Sequence, residues 1–170
     1  WLLAENIKNT VLLMEAVTGV KPKVILVGKS MGGCKLHHAI AGDKGGGRGG
    51  LEKMEIPLFI GVDMSCQVKR HYDSEGDVLE FDNNIRELYN FYQVTPTSSQ
   101  TGHKAVFKGK PFDENIHINV NEESFDPKTR KKISKPEKPL CNNSEHINID
   151  ECVPLLEAIQ TMILDEIGKQ

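Results

Sequence analysis

Ser30 stands between two glycines in Gly28-Lys29-Ser30-Met31-Gly32, directly behind the apolar run Val24-Ile25-Leu26-Val27. Residues of these types at this spacing suit nucleophilic acyl transfer. A strand that turns sharply into a helix lifts a serine hydroxyl out of the sheet, in a strained backbone conformation. Glycine is expected at 28 and at 32 because a Cβ at either place would meet neighbouring backbone. Gly-Lys-Ser is also the tail of a phosphate-binding loop, but that loop needs a glycine five residues earlier. Position 23 is Lys, and residues 24–27 are β-formers that belong in a strand, not in a cradle of N–H groups. A third reading is a Gly/Ser turn with no chemistry.

A serine hydroxyl is a poor nucleophile until a base takes its proton, and that base needs an acid to orient it. After a strand–turn–helix serine, the chain order is serine, acid, histidine. His37 and His38 fall in the helix behind Ser30 and suit packing or surface roles. His71 precedes most acid candidates, His103 sits in a polar stretch, and His117 lies inside an expected strand. His146 follows the last strand and precedes the final helix, so it is the expected base; a surface or capping histidine is the alternative. Asp63 directly follows Leu58-Phe59-Ile60-Gly61-Val62, and a carboxylate at that strand end can reach an imidazole. Its alternative role is to cap the next turn, with Asp113, Asp82 and Asp77 as reserve acids. Asp150 is expected to cap the final helix. The oxyanion would be held by the Met31 backbone N–H at a helix N-terminus. A second donor would come from a loop after an earlier strand, which this sequence does not include.

These residues need a scaffold. Leu2, Leu3, Ile7, Val11, Leu12, Met14 and Val17 recur at helical spacing over 1–18, and Gly19 stops the helix. A buried strand follows at 24–27, then a helix from 31 to about 41, a glycine-rich loop at 42–50 and a strand at 56–62. This alternation predicts an α/β fold with a mostly parallel sheet. Further on, Ile85, Leu88, Tyr89 and Tyr92 suggest a short helix over 83–92. Strands are expected at 104–108 and 116–120. Residues 126–139 hold six Lys/Arg and three Pro and read as an exposed basic loop, with a lid or an acidic contact as the alternative. A last helix begins near 150, with Val153, Leu155, Leu156, Ile159, Met162, Ile163 and Ile167 on a broad apolar face.

The 170 residues suit one domain, and a net charge of −3 supplies no bulk attraction to nucleic acid or an anionic membrane. No apolar run approaches the roughly 20 residues of a membrane span. None of the four cysteines forms a C-x-x-C pair, so no zinc cluster is expected. Cys34 and Cys152 read as buried free thiols, which points to a reducing compartment such as the cytoplasm; a Cys66–Cys141 disulfide is the alternative. Trp1 opens the chain inside a helical pattern, so 1–170 reads as the C-terminal portion of a domain that has lost upstream strands.

Four blocks together resemble the α/β-hydrolase superfamily, in its serine esterase/lipase-like branch. Val24-Ile-Leu-Val-Gly-Lys-Ser-Met-Gly-Gly33 is similar to that family's strand and elbow, with Lys29 where His is commoner. Ile60-Gly-Val-Asp63 resembles an acid-bearing strand end, and Asn84-Ile-Arg-Glu-Leu-Tyr-Asn-Phe-Tyr-Gln93 a segment seen behind that acid in bacterial members. Glu145-His-Ile-Asn-Ile-Asp150 resembles their histidine loop. The similarity touches most of residues 1–163, although only these blocks are specific. It implies hydrolysis of a small ester or lipid-like substrate through an acyl-enzyme, with no cofactor or metal. Ser30, Asp63 and His146 would form the triad and Met31 the oxyanion donor. The rival expectation is an inactive fragment, or a hydrolase-like domain used for binding.

Overall fold

The computed structural model describes residues 2–41, 50, 51, 53–64, 78–81, 84–94, 104–107, 117–145 and 147–169. Helix α1 (Leu2–Thr18) ends at Gly19, whose N–H still donates to the Glu15 carbonyl at 2.8 Å and whose φ of +70° turns the chain out of the helix. Its buried stripe is narrower than the sequence suggests. Ala4 and Val11 are buried and Ile7 partly so, while Leu2, Leu12 and Val17 are exposed.

Strands β1 (Ile25–Lys29) and β2 (Ile56–Val62) flank helix α2 (Met31–Ala41) in sequence. Strand β3 (Val78–Phe81), which the sequence did not announce, pairs in parallel with β5 (Lys104–Phe107) in a small separate sheet. The main sheet adds β4 (Ile85–Tyr92) and β6 (His117–Asn119) in the order β1-β2-β4-β6, with every pairing parallel. An α/β protein with a parallel sheet between helices follows. One face packs Leu26, Phe59 and Leu88 with residues of α1 and α2; the other packs Ile60, Phe91 and Ile118 with α3 (Val153–Gly168).

Three expectations are corrected. Residues 85–92 form a strand, not a helix. Ile85, Leu88, Tyr89, Asn90 and Phe91 are buried, because a central parallel strand is covered on both faces and loses the alternation that would have marked it. Residues 126–139 are not simply an exposed loop: β7 (Ser124–Asp126) and β8 (Lys131–Ile133) form an antiparallel hairpin there. In the turn between them, the Asp126 carboxylate accepts hydrogen bonds from the Lys128 N–H at 3.0 Å and the Thr129 hydroxyl at 2.7 Å. Finally, α3 buries only Leu155, Ala158, Ile159, Met162 and Glu166, leaving Val153, Leu156 and Ile167 exposed. The glycine-rich stretch 42–49 lies outside the described residues.

Candidate active site

Parallel pairing puts the carboxyl ends of β1, β2, β4 and β6 along one edge of the sheet, and Ser30 and Asp63 follow directly from two of those ends. Ser30 is the residue after β1 and the last before α2. Its φ is 51°, a left-handed conformation that few non-glycine residues adopt. Main-chain bonds hold it there: the Ser30 N–H donates to the Val62 carbonyl at 2.9 Å, and its own carbonyl accepts from the Cys34 N–H at 3.3 Å. Ser30 is partly exposed.

One strand over, Asp63 repeats the pattern. Its φ is 43°, its N–H donates to the Phe91 carbonyl at 2.7 Å, and its side chain is fully buried. The Gln93 amide, just past β4, donates to the Asp63 carboxylate at 3.2 Å. Nearby in the same sheet, the Asn90 amide approaches His117 Nδ1 at 3.3 Å, and both residues are buried. Gln93 and Asn90 escaped sequence reasoning because amides beside or inside a supposed helix carry no chemical signal.

Close packing of strand against helix depends on glycine, but not on both glycines expected. A Cβ on Gly28 would lie 2.6 Å from the Gly33 Cα. At Gly32 a Cβ would meet nothing within 4 Å, so the expectation of a collision there is overturned. The residue facing Gly28 is Gly33, one position further along, where α2 turns back over β1.

His146, His71, His103, Cys66 and the reserve acids Asp77, Asp82 and Asp113 lie outside the described residues. The residues flanking 146 are placed. Ile149 is fully buried in the core on the α3 side of the sheet, and Asp150 pairs with Lys29 at 2.5 Å. Asp150 therefore does not cap α3: it lies in a 3₁₀ turn, Ile149–Glu151, and the N-cap is Cys152. The ion pair ties the stretch after 146 to the residue beside Ser30. Lys29, read at first only as a replacement for histidine, is half of that tie.

The cysteine reading is also corrected. Cys141 and Cys152 form a disulfide, and Cys34 is disulfide-bonded to a partner outside the described residues. The free thiols expected at 34 and 152, the alternative Cys66–Cys141 bond, and the argument for a reducing compartment that rested on them all fall. The pairing was not legible because Cys141 and Cys152 become neighbours only when the chain returns from the end of β6 to the start of α3. A cavity of about 680 Å³ borders this bridge, lined by Leu140, Ser144, Asn148, Glu151 and Pro154 but not by Ser30 or Asp63.

Among the described residues, no group of three or more His, Cys, Asp and Glu side chains is placed to hold a metal. No described helix is long and apolar enough to cross a membrane. No protein-family model, curated protein or solved structure matches this chain.

Proposed function

We propose that the protein is a serine hydrolase that cleaves carboxylic esters. The observation that carries the reading is the pair of left-handed residues, Ser30 and Asp63, at the ends of adjacent parallel strands. Backbone strain of this kind costs on the order of 1–3 kcal/mol per residue and clusters at active sites. In the proposed reaction the Ser30 Oγ bonds to the ester carbonyl carbon while His146 takes its proton. The Met31 N–H stabilises the oxyanion, and Asp63 orients the imidazole and balances its charge. Collapse of the intermediate breaks the bond to the alcohol, which leaves with the proton from His146. Water then enters by the reverse sequence and frees the acid.

Ser30→Ala is expected to abolish ester turnover with the circular dichroism spectrum unchanged. A fluorophosphonate should modify the wild-type protein at Ser30 and leave the variant unmodified. Unaltered turnover in Ser30→Ala would eliminate this mechanism, and a folded wild-type protein that takes no label would instead favour a hydrolase-like domain used for binding.

A further inference from the structure

The loop between Cys141 and Cys152 carries the proposed base, and it is anchored at both ends. At its start the Cys141 N–H donates to the Val120 carbonyl at 2.7 Å, continuing the line of β6. Asn121 then grips the loop by main-chain mimicry. Its side-chain amide donates to the Ser144 carbonyl at 2.7 Å and accepts from the Ser144 N–H at 2.8 Å. Ser144 is buried and stands two positions before His146. The loop narrows further where Glu145 N–H donates to the Asn148 side chain at 2.7 Å and the Ile149 N–H donates to the Glu145 carbonyl at 2.9 Å. Its far end is fixed by the disulfide at Cys152 and by the Lys29–Asp150 pair.

We infer that Asn121 and the Cys141–Cys152 disulfide are positioning elements of the hydrolytic site, setting the histidine loop against Ser30 and Asp63. The inference rests on the serine-hydrolase reading. A side-chain amide that bonds both backbone groups of one residue fixes position and orientation together, which a single hydrogen bond does not. The disulfide keeps the two ends of the loop together irrespective of side-chain motion. Neither group touches the reacting atoms; each acts through where the loop places its histidine.

The test compares wild-type protein, Asn121→Ala and the double variant Cys141→Ser/Cys152→Ser with p-nitrophenyl butyrate as probe. In both variants kcat should fall about tenfold or more while KM stays within about twofold, since misplacement of a catalytic group costs rate rather than binding. The acidic limb of kcat/KM should move to lower pH, because an imidazole less closely held by Asp63 gives up its proton more readily. A purely structural role would lower the folded fraction and leave the limb in place. Thermal melts establish that each variant is folded at the assay temperature. If one does not fold, the other decides. A folded variant with wild-type kcat and an unmoved limb overturns the inference. A wild-type protein that is folded but resists fluorophosphonate labelling overturns the hydrolase reading and this inference with it.

Discussion

Gly28 and Gly32 look equivalent in sequence, both two positions from Ser30, yet their surroundings oppose one another. An added methyl at 28 would sit 2.6 Å from the Gly33 Cα and 2.7 Å from its nitrogen, and backbone on both sides must move to admit it. At 32 the space is open and the residue lies in the first turn of α2. Gly28→Ala should therefore destabilise by about 2 kcal/mol or more, as overpacking does. Gly32→Ala should be neutral or stabilising by a few tenths of a kcal/mol, because alanine is the better helix former. Urea denaturation midpoints for the two variants check the contrast, and equal destabilisation would refute it. The motif made the turn at Ser30 legible from sequence because a strand–turn–helix bend is written in residue types at fixed offsets. Which glycine the strand leans on depends on how α2 docks, and no offset encodes that.

Among the elements, those at the front of the chain were readable. Helix α1, the first strand, α2 and β2 each show an apolar stripe or run with a clear stop, and the structure moves their limits by at most two residues. Legibility failed where tertiary cover erased the period. In β4 the spacing of Ile85, Leu88, Tyr89 and Tyr92 fits a helix, but parallel neighbours on both sides make it a strand. The candidate site divides in the same way. Ser30 and Asp63 follow strand ends that the sequence marked, whereas Gln93, Asn121 and the Cys141–Cys152 bridge depend on which segments meet. Helix α3 offers a matched pair for testing how much of an apolar face is really core. Leu155 is fully buried and its neighbour Leu156 is 46% exposed. Leu155→Ala should cost about 3 kcal/mol through lost transfer energy and the cavity left behind. Leu156→Ala should stay within about 0.5 kcal/mol. Comparable losses in thermal stability for the two would mean that α3 presents a different face to the sheet.

At the scale of the whole molecule, charge is gathered at the end of the sheet opposite Ser30. Arg130, in the turn between β7 and β8, reaches Glu87 of β4 at 2.5 Å and Asp165 of α3 at 2.8 Å, with its guanidinium 5.9 Å from the centre of the Tyr89 ring. Glu166, fully buried, takes Arg86 at 2.6 Å and Lys169 at 3.0 Å. The basic run that read as solvated surface thus supplies the cation that joins a strand, a hairpin and a helix. Burial opposes the charge on Glu166, but the Lys169 hydrogen bond and the nearby cations outweigh it and hold the carboxyl below its ordinary range. The Arg130 and Lys169 hydrogen bonds hold Asp165 low as well. Carboxylates depressed in the folded state add stability above their unfolded pKa values, and that stability is lost as pH falls through the folded ones. The window opens below about pH 4.5, where unfolded carboxylates begin to take up protons. At the alkaline end, burial and then Glu87 push Tyr89 up to about 12, against the pull of Arg130. Its contribution is complete below about pH 10 and is lost as pH rises toward 12, because the unfolded chain ionises first. Arg130→Met should cost about 2 kcal/mol at pH 7, by leaving Glu87 and Asp165 without their main partner. That deficit should shrink at pH 3, where the wild-type protein has also lost part of the benefit. Denaturant titrations at the two pH values measure it, and a deficit that grows on acidification would contradict the network's assigned charges. Because the network's strand residues, Arg86 and Glu87, lie near the amino end of β4, away from Ser30, the folded Arg130→Met protein should keep the wild-type rate of Ser30 labelling, so stability and reactivity should separate.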